Sequence, residues 1–129
     1  MGQSPQTPAS GSSGGLAPNI AAVLGYFIWI IAVVWLLIEP YKNDRFIRFH
    51  AFQALGFMIA IIPVWIVALI ISIVLAFIPY VGPIVALVLW PVIGLGILGI
   101  WLFLMYKAYN NETWQLPVIG PFAAKQAGL

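Results

Sequence analysis

No charged side chain precedes Glu39, and none stands between Arg48 and Lys107. Helices built from such stretches cannot present a polar face to water. Hydrophobic residues make up 64% of the chain and charged residues 6%, against roughly 45–50% and about 25% in ordinary soluble domains. A globule of this composition has too little polar surface to cover its apolar surface, so the chain has to meet lipid. With 129 residues there is room for one domain. Cysteine is absent, which excludes disulfides and thiolate metal sites. A formal charge of +2 is too small to point to nucleic acid.

Residues 1–15, rich in Pro, Gly, Ser and Gln, cannot bury enough surface to offset ordering and read as a disordered tail. They lack the basic start of a secretory signal, and no small-residue cleavage site follows the next apolar run, so that run is expected to stay. Residues 16–129 read as a three-helix transmembrane domain with spans over about 18–38, 52–78 and 84–106. The first runs from Pro18 to Ile38 and, as a helix, is about 31 Å long, against a hydrocarbon core of about 30 Å. Glu39-Pro40 stops it.

The segment Asn43–Phe57 holds the only histidine and leads directly into the second span. Asn43 or Asp44 is placed to cap its helix, and Asp44 and Arg48 have ion-pair spacing. Phe46, Phe49 or His50, Gln53 and Phe57 recur at helical spacing, with Arg45 and Arg48 on a neighbouring face. From Phe49 to Ile78 the helix would be about 45 Å long, more than a bilayer needs. It is either one helix kinked at Pro63 or an interfacial helix followed by a span. Pro79–Pro83 is a tight break. Gly94, Gly96 and Gly99 offer small residues where a neighbouring backbone can approach. Leu116, Val118, Ile119 and Phe122 make the C-terminal tail too apolar to hang free, so it is expected to dock. The expected fold class is thus an all-α membrane protein: three transmembrane helices, an amphipathic start to the second, and a docked tail.

Two crossings separate the loop 39–48 from the tail, which puts all five Lys and Arg residues on one side. The positive-inside rule makes that side cytoplasmic. The expected location is the bacterial plasma membrane, with the N-terminus outside and the C-terminus in the cytoplasm.

Three motifs have bland explanations. The pattern G-L-G-I-L-G at 94–99 matches a dinucleotide fingerprint but lies inside an apolar span, without the strand or acidic residue that chemistry needs. Asn111-Glu112-Thr113 is a glycosylation sequon on the cytoplasmic side, where no glycan is added. His50 with Gln53, Glu39 and Asp44 is the only cluster with acid–base potential, and a lone His makes a poor metal site. No catalytic, cofactor-binding or metal-binding residue is assigned. His50 and Gln53 are expected to make hydrogen bonds to another helix or to the tail.

R-F-I-R-F-H-A-F-Q-A after the first span and Y-K-A-Y-N-N-E-T-W-Q-L-P-V-I-G near the end resemble a widespread family of small bacterial membrane proteins of unknown function. Arg48, Phe49, His50, Ala51 and Gln53 match its first motif. Lys107, Ala108, Tyr109, Leu116, Pro117, Ile119 and Gly120 match its second. The family is in turn similar to the Tic import-channel component of the chloroplast inner envelope. With Arg45, the residues Arg48, Phe49, His50, Gln53, Lys107, Leu116, Pro117 and Gly120 form the candidate structural or interaction motif. The expected function is that of a non-enzymatic subunit or scaffold of a membrane assembly, and the alternative implied by the resemblance is a part in transport or protein translocation. Expected partners are the bilayer, anionic lipid headgroups drawn by the basic residues, and further copies or other membrane proteins, with no nucleic acid and no cofactor.

Overall fold

A computed structural model describes residues 15–129, so the tail expected over 1–15 lies, but for Gly15, outside the described residues. The described residues form five α-helices: α1 Pro18–Phe27, α2 Trp29–Leu37, α3 Arg45–Leu75, α4 Val81–Tyr109 and α5 Ile119–Ala127. A 3₁₀ turn, Tyr41–Asn43, joins α2 to α3.

The single helix expected over 18–38 is not what forms. Pro18 occupies the first turn of α1, where its missing N–H costs nothing. The helix then stops at Ile28, whose backbone is extended (φ −132°, ψ 113°), and α2 turns back along α1. The Trp35 indole N–H donates to the Ala21 carbonyl at 2.7 Å. In one continuous helix those residues would stand about 21 Å apart along the axis. Close packing is possible because the facing residues are small: a Cβ on Gly25 would lie 3.6 Å from the Ala32 Cβ, and Ala21, Ala22 and Ala32 are buried.

The hairpin returns to the end it started from. The Leu16 backbone N–H donates to the Tyr41 hydroxyl at 2.9 Å. The Asn19 side-chain amide donates to the Tyr109 carbonyl at 2.9 Å. Both ends of the 16–41 segment therefore lie beside the C-terminal end of α4, and not at opposite ends of the bundle as one helix over 18–38 would place them.

Asp44 caps α3, its carboxylate accepting from the N–H groups of Phe46 (2.8 Å) and Ile47 (3.2 Å). The 31 residues of α3 form one helix with Pro63 inside it, so no separate interfacial helix exists. It ends at Leu75, short of the expected Ile78. In the turn that follows, a Cβ on Gly82 would run into the Leu75 carbonyl oxygen, so only glycine lets α4 start so close. Both α3 and α4 are long and apolar enough to cross a membrane. Near the turn they are tied by stacked Trp65 and Trp90 rings, 5.2 Å between centroids, and by the Trp90 indole donating to Ser72 Oγ at 3.1 Å. Ser72 in turn donates to the Ala68 carbonyl.

The buried residues gather at the opposite end. All those of α3 except Ala68 lie between Phe46 and Phe57, and those of α4 are Gly82, Leu104 and Ala108. Gly94, Gly96 and Gly99, expected at a helix contact, face open space: nothing lies within 4 Å of the Cβ each lacks. The C-terminal tail is docked, as α5. It runs antiparallel to the first turns of α3, with Ile119 against Gly56 and Gly128 beside Arg45.

Candidate functional site

The buried end is organised around a network of polar side chains drawn from three parts of the chain. Tyr26 comes from α1, His50 and Gln53 from one face of α3, and the backbone of Glu112–Leu116 from the segment between α4 and α5. His50 and Gln53 are 1% and 0% exposed, so their hydrogen bonds have to be found within the protein.

The directions of those bonds follow from the chemistry of the partners. His50 Nε2 lies 2.8 Å from the Glu112 carbonyl oxygen, which can only accept, so Nε2 carries the proton. In the neutral ring Nδ1 is then an acceptor, and the Tyr26 hydroxyl, 2.8 Å away, donates to it. The Tyr26 oxygen accepts in turn from Gln53 Nε2 at 2.8 Å. The second amide hydrogen of Gln53 goes to the Trp114 carbonyl at 3.0 Å. Gln53 Oε1 accepts from the Leu116 N–H at 2.9 Å. Every donor has one destination, and no buried side-chain N or O among the described residues lacks a partner. Aromatic edges close the site around the imidazole, with ring centroids of Phe46 at 4.6 Å, Phe49 at 4.9 Å and Tyr26 at 5.4 Å.

The basic residues of the motif act on the tail. Arg48 donates to the carbonyls of Lys42 (3.3 Å) and Gln126 (3.1 Å), and Arg45 donates to that of Gly128 at 3.3 Å. Two guanidinium groups thus sit on the last carbonyls of α5, where the helix dipole favours positive charge. Arg48 is drawn there and across the Phe52 ring, so the ion pair expected with Asp44 does not form. Lys107 pairs with Glu112 at 2.9 Å, which holds the residue whose carbonyl receives the histidine proton. Phe49 is buried against Ala123, Ala124 and Ala127 of α5.

Leu116, Pro117 and Gly120 shape the turn into α5. The Gly120 N–H donates to the Leu116 carbonyl at 2.7 Å, and the Ile119 N–H to that of Pro117 at 2.8 Å. A Cβ on Gly120 would collide with Gln115, so the turn is closed to any larger residue.

The geometry therefore describes a lock between helices. Both imidazole nitrogens are engaged, Nε2 as donor to the Glu112 carbonyl and Nδ1 as acceptor from the Tyr26 hydroxyl. The residues that reading the sequence did not supply are Tyr26 and the carbonyls of Glu112 and Trp114. Tyr26 sits amid apolar neighbours 24 residues before His50, and only the fold-back of α1 brings it there.

Residues 14–123 match the model of the magnetosome magnetite crystal formation protein family. The chain belongs to that family. It is also 38% identical over 111 residues to a UPF0132 membrane protein of Archaeoglobus fulgidus, covering 85% of this chain and 95% of the relative. Two UPF0132 membrane proteins of Methanocaldococcus jannaschii are similar: one is 35% identical over 86% of this chain and 71% of its own length, the other 36% identical over 84% and 87%. No solved structure matches. The family match spans the whole network, from Tyr26 to Leu116, and the relatives are named as membrane proteins, in keeping with the two long apolar helices.

Proposed function

We propose that the chain is a non-enzymatic integral membrane protein, a small subunit or scaffold of a membrane assembly, anchored by two crossings and one re-entrant hairpin. In this reading α3 and α4 cross the bilayer. The α1–α2 hairpin, about 15 Å deep against a core of about 30 Å, enters and leaves from one face. Non-helical backbone at such depth needs its polar groups paired. At the turn the Ile28 N–H donates to the Leu24 carbonyl at 3.0 Å and the Ile31 N–H to the Ile28 carbonyl at 2.9 Å, and one side of the turn meets α4, with Phe27 stacked on Trp101. All five Lys and Arg residues stand at the hairpin's open end, which the positive-inside rule makes cytoplasmic in the bacterial plasma membrane. Both Leu16 and the C-terminal helix are then cytoplasmic.

The observation that carries the scaffold reading is the closed polar network. Its groups are all used to lock α1, α3 and the tail together, and none is left over for chemistry. The matched family is described by magnetite crystal formation in the magnetosome. We carry over to this chain a structural part in a membrane assembly and not the binding of metal. Among the described residues no group of three His, Cys, Asp or Glu could hold an ion. The transport alternative has less behind it: Ser72 and the Trp90 indole, polar groups where α3 meets α4, are bonded to each other.

Size analysis of the complex extracted from native membranes into nanodiscs tests the proposal. A discrete assembly, of further copies or with other membrane proteins, is expected. A lone 14.1 kDa chain, or solute flux in liposomes above the protein-free background, would count against it.

A further inference from the structure

The two ends of the bundle differ in girth. Around the first turns of α3 stand α1 and α2, the last turns of α4, and α5. They are held there by Trp101 on the Tyr26 carbonyl at 2.7 Å, Trp35 on Ala21 and Arg48 on Gln126. Beyond Ile61 in α3 and before Gly94 in α4, the last residues to share a cavity with the hairpin's Phe27 and Trp29, only those two helices continue among the described residues. The buried residues along that stretch are Ala68 and Gly82. Each helix is about 10 Å across, so three additional helices crowd one half of the molecule and none the other.

The extra bulk faces acyl chains. Phe27, Ile30 and Leu37 on the outside of the hairpin are 56%, 55% and 68% exposed, and the hairpin carries no charge. The basic residues at its open end hold it at the leaflet they face, helped by attraction to anionic headgroups. Volume inserted into a single leaflet spreads that leaflet relative to its opposite, and the strain is relieved where the crowded leaflet is convex. Shallow apolar insertions are curvature-sensitive on this principle.

We propose that the protein is a one-leaflet wedge, which concentrates in and stabilises membrane whose cytoplasmic leaflet is convex. The inference rests on the re-entrant topology proposed above. It assigns the chain a lipid surface of defined curvature as its partner.

The test uses the full chain, labelled with a fluorophore on Gln126→Cys, in giant vesicles of mixed zwitterionic and anionic lipid from which narrow tubes are drawn. An impermeant quencher added outside separates vesicles with the wide end out from those with it in. With the wide end out, the ratio of protein density on the tube to that on the vesicle should exceed one and rise as the tube narrows. With the wide end in, it should fall below one. A ratio of one in both orientations, or the same ratio in both, overturns the wedge. A parallel sample labelled on Leu16→Cys isolates the topology beneath it. Quenching in the same orientation as Gln126→Cys keeps the hairpin reading in place, so absent sorting then overturns the wedge alone. Protection of Leu16→Cys where Gln126→Cys is quenched overturns both.

Discussion

Gln53 is the side chain on which the buried network turns: like His50 it bonds to both the N-terminal hairpin and the tail, and it makes three such bonds where His50 makes two. Gln53→Leu would leave the Trp114 carbonyl and the Leu116 N–H without these partners and the Tyr26 oxygen, which still donates to His50, without a donor of its own. An orphaned buried polar group costs about 1–3 kcal/mol, whereas a hydrogen bond between helices in a bilayer contributes about 0.6 kcal/mol. Gln53→Leu should therefore lower the melting temperature in mild detergent by more than one lost bond accounts for. Tyr26→Phe should lower it less, since it strands only His50 Nδ1 and one amide hydrogen of Gln53. The two residues share a bond, so the double substitution should cost less than the sum of the singles. Strict additivity would mean that they act separately. At this scale the sequence reveals that His50 and Gln53 need partners, because two polar residues three apart on an apolar helix have to find them. It does not reveal which partners. Arg45 and Arg48 read as interface charges because their partners are backbone carbonyls of a helix that composition does not announce.

The hairpin is where an element-scale rule misleads. A charge-free run from Pro18 to Ile38 has the length of a span, and length is the property a bilayer is expected to select. What divides it is an extended backbone at Ile28, with neither Gly nor Pro at the break. The signal present in the sequence is faint: Ala21, Ala22, Gly25 and Ala32 make a small-residue face, which a spanning helix could equally turn to a neighbour. The packing of α3 and α4 is more legible. Asp44 at the cap, the stop before Gly82 and the uncharged runs between follow from local chemistry. A paired substitution separates hairpin from straight helix. Gly25→Cys with Ala32→Cys should oxidise readily to a disulfide, because the two Cβ positions lie 3.6 Å apart, within the range such bonds need. Seven residues apart on a continuous helix they would be about 10 Å distant along the axis, and no bond would form. The absence of native cysteine makes the gel shift unambiguous.

For the whole molecule, replacing the first crossing by the proposed hairpin reverses one terminus while sparing the rest. In the proposed topology the one-sided placement of Lys and Arg puts the loop 39–48 and the tail in the cytoplasm, whichever way residues 16–38 run. Those residues hold no charge of their own, so their starting side is set only by counting crossings, and the count depends on the helix break at Ile28. In the proposed topology the chain folds back there, and Leu16 and α5 share one face of the membrane. Single cysteines at Leu16, Phe77 and Gln126, probed with an impermeant thiol reagent, test it directly. In intact cells Phe77→Cys, in the turn between α3 and α4 and 84% exposed, should react, while Leu16→Cys and Gln126→Cys should react only after the membrane is opened. Reaction of Leu16→Cys in intact cells that protect Gln126→Cys would contradict the fold-back and restore a first span.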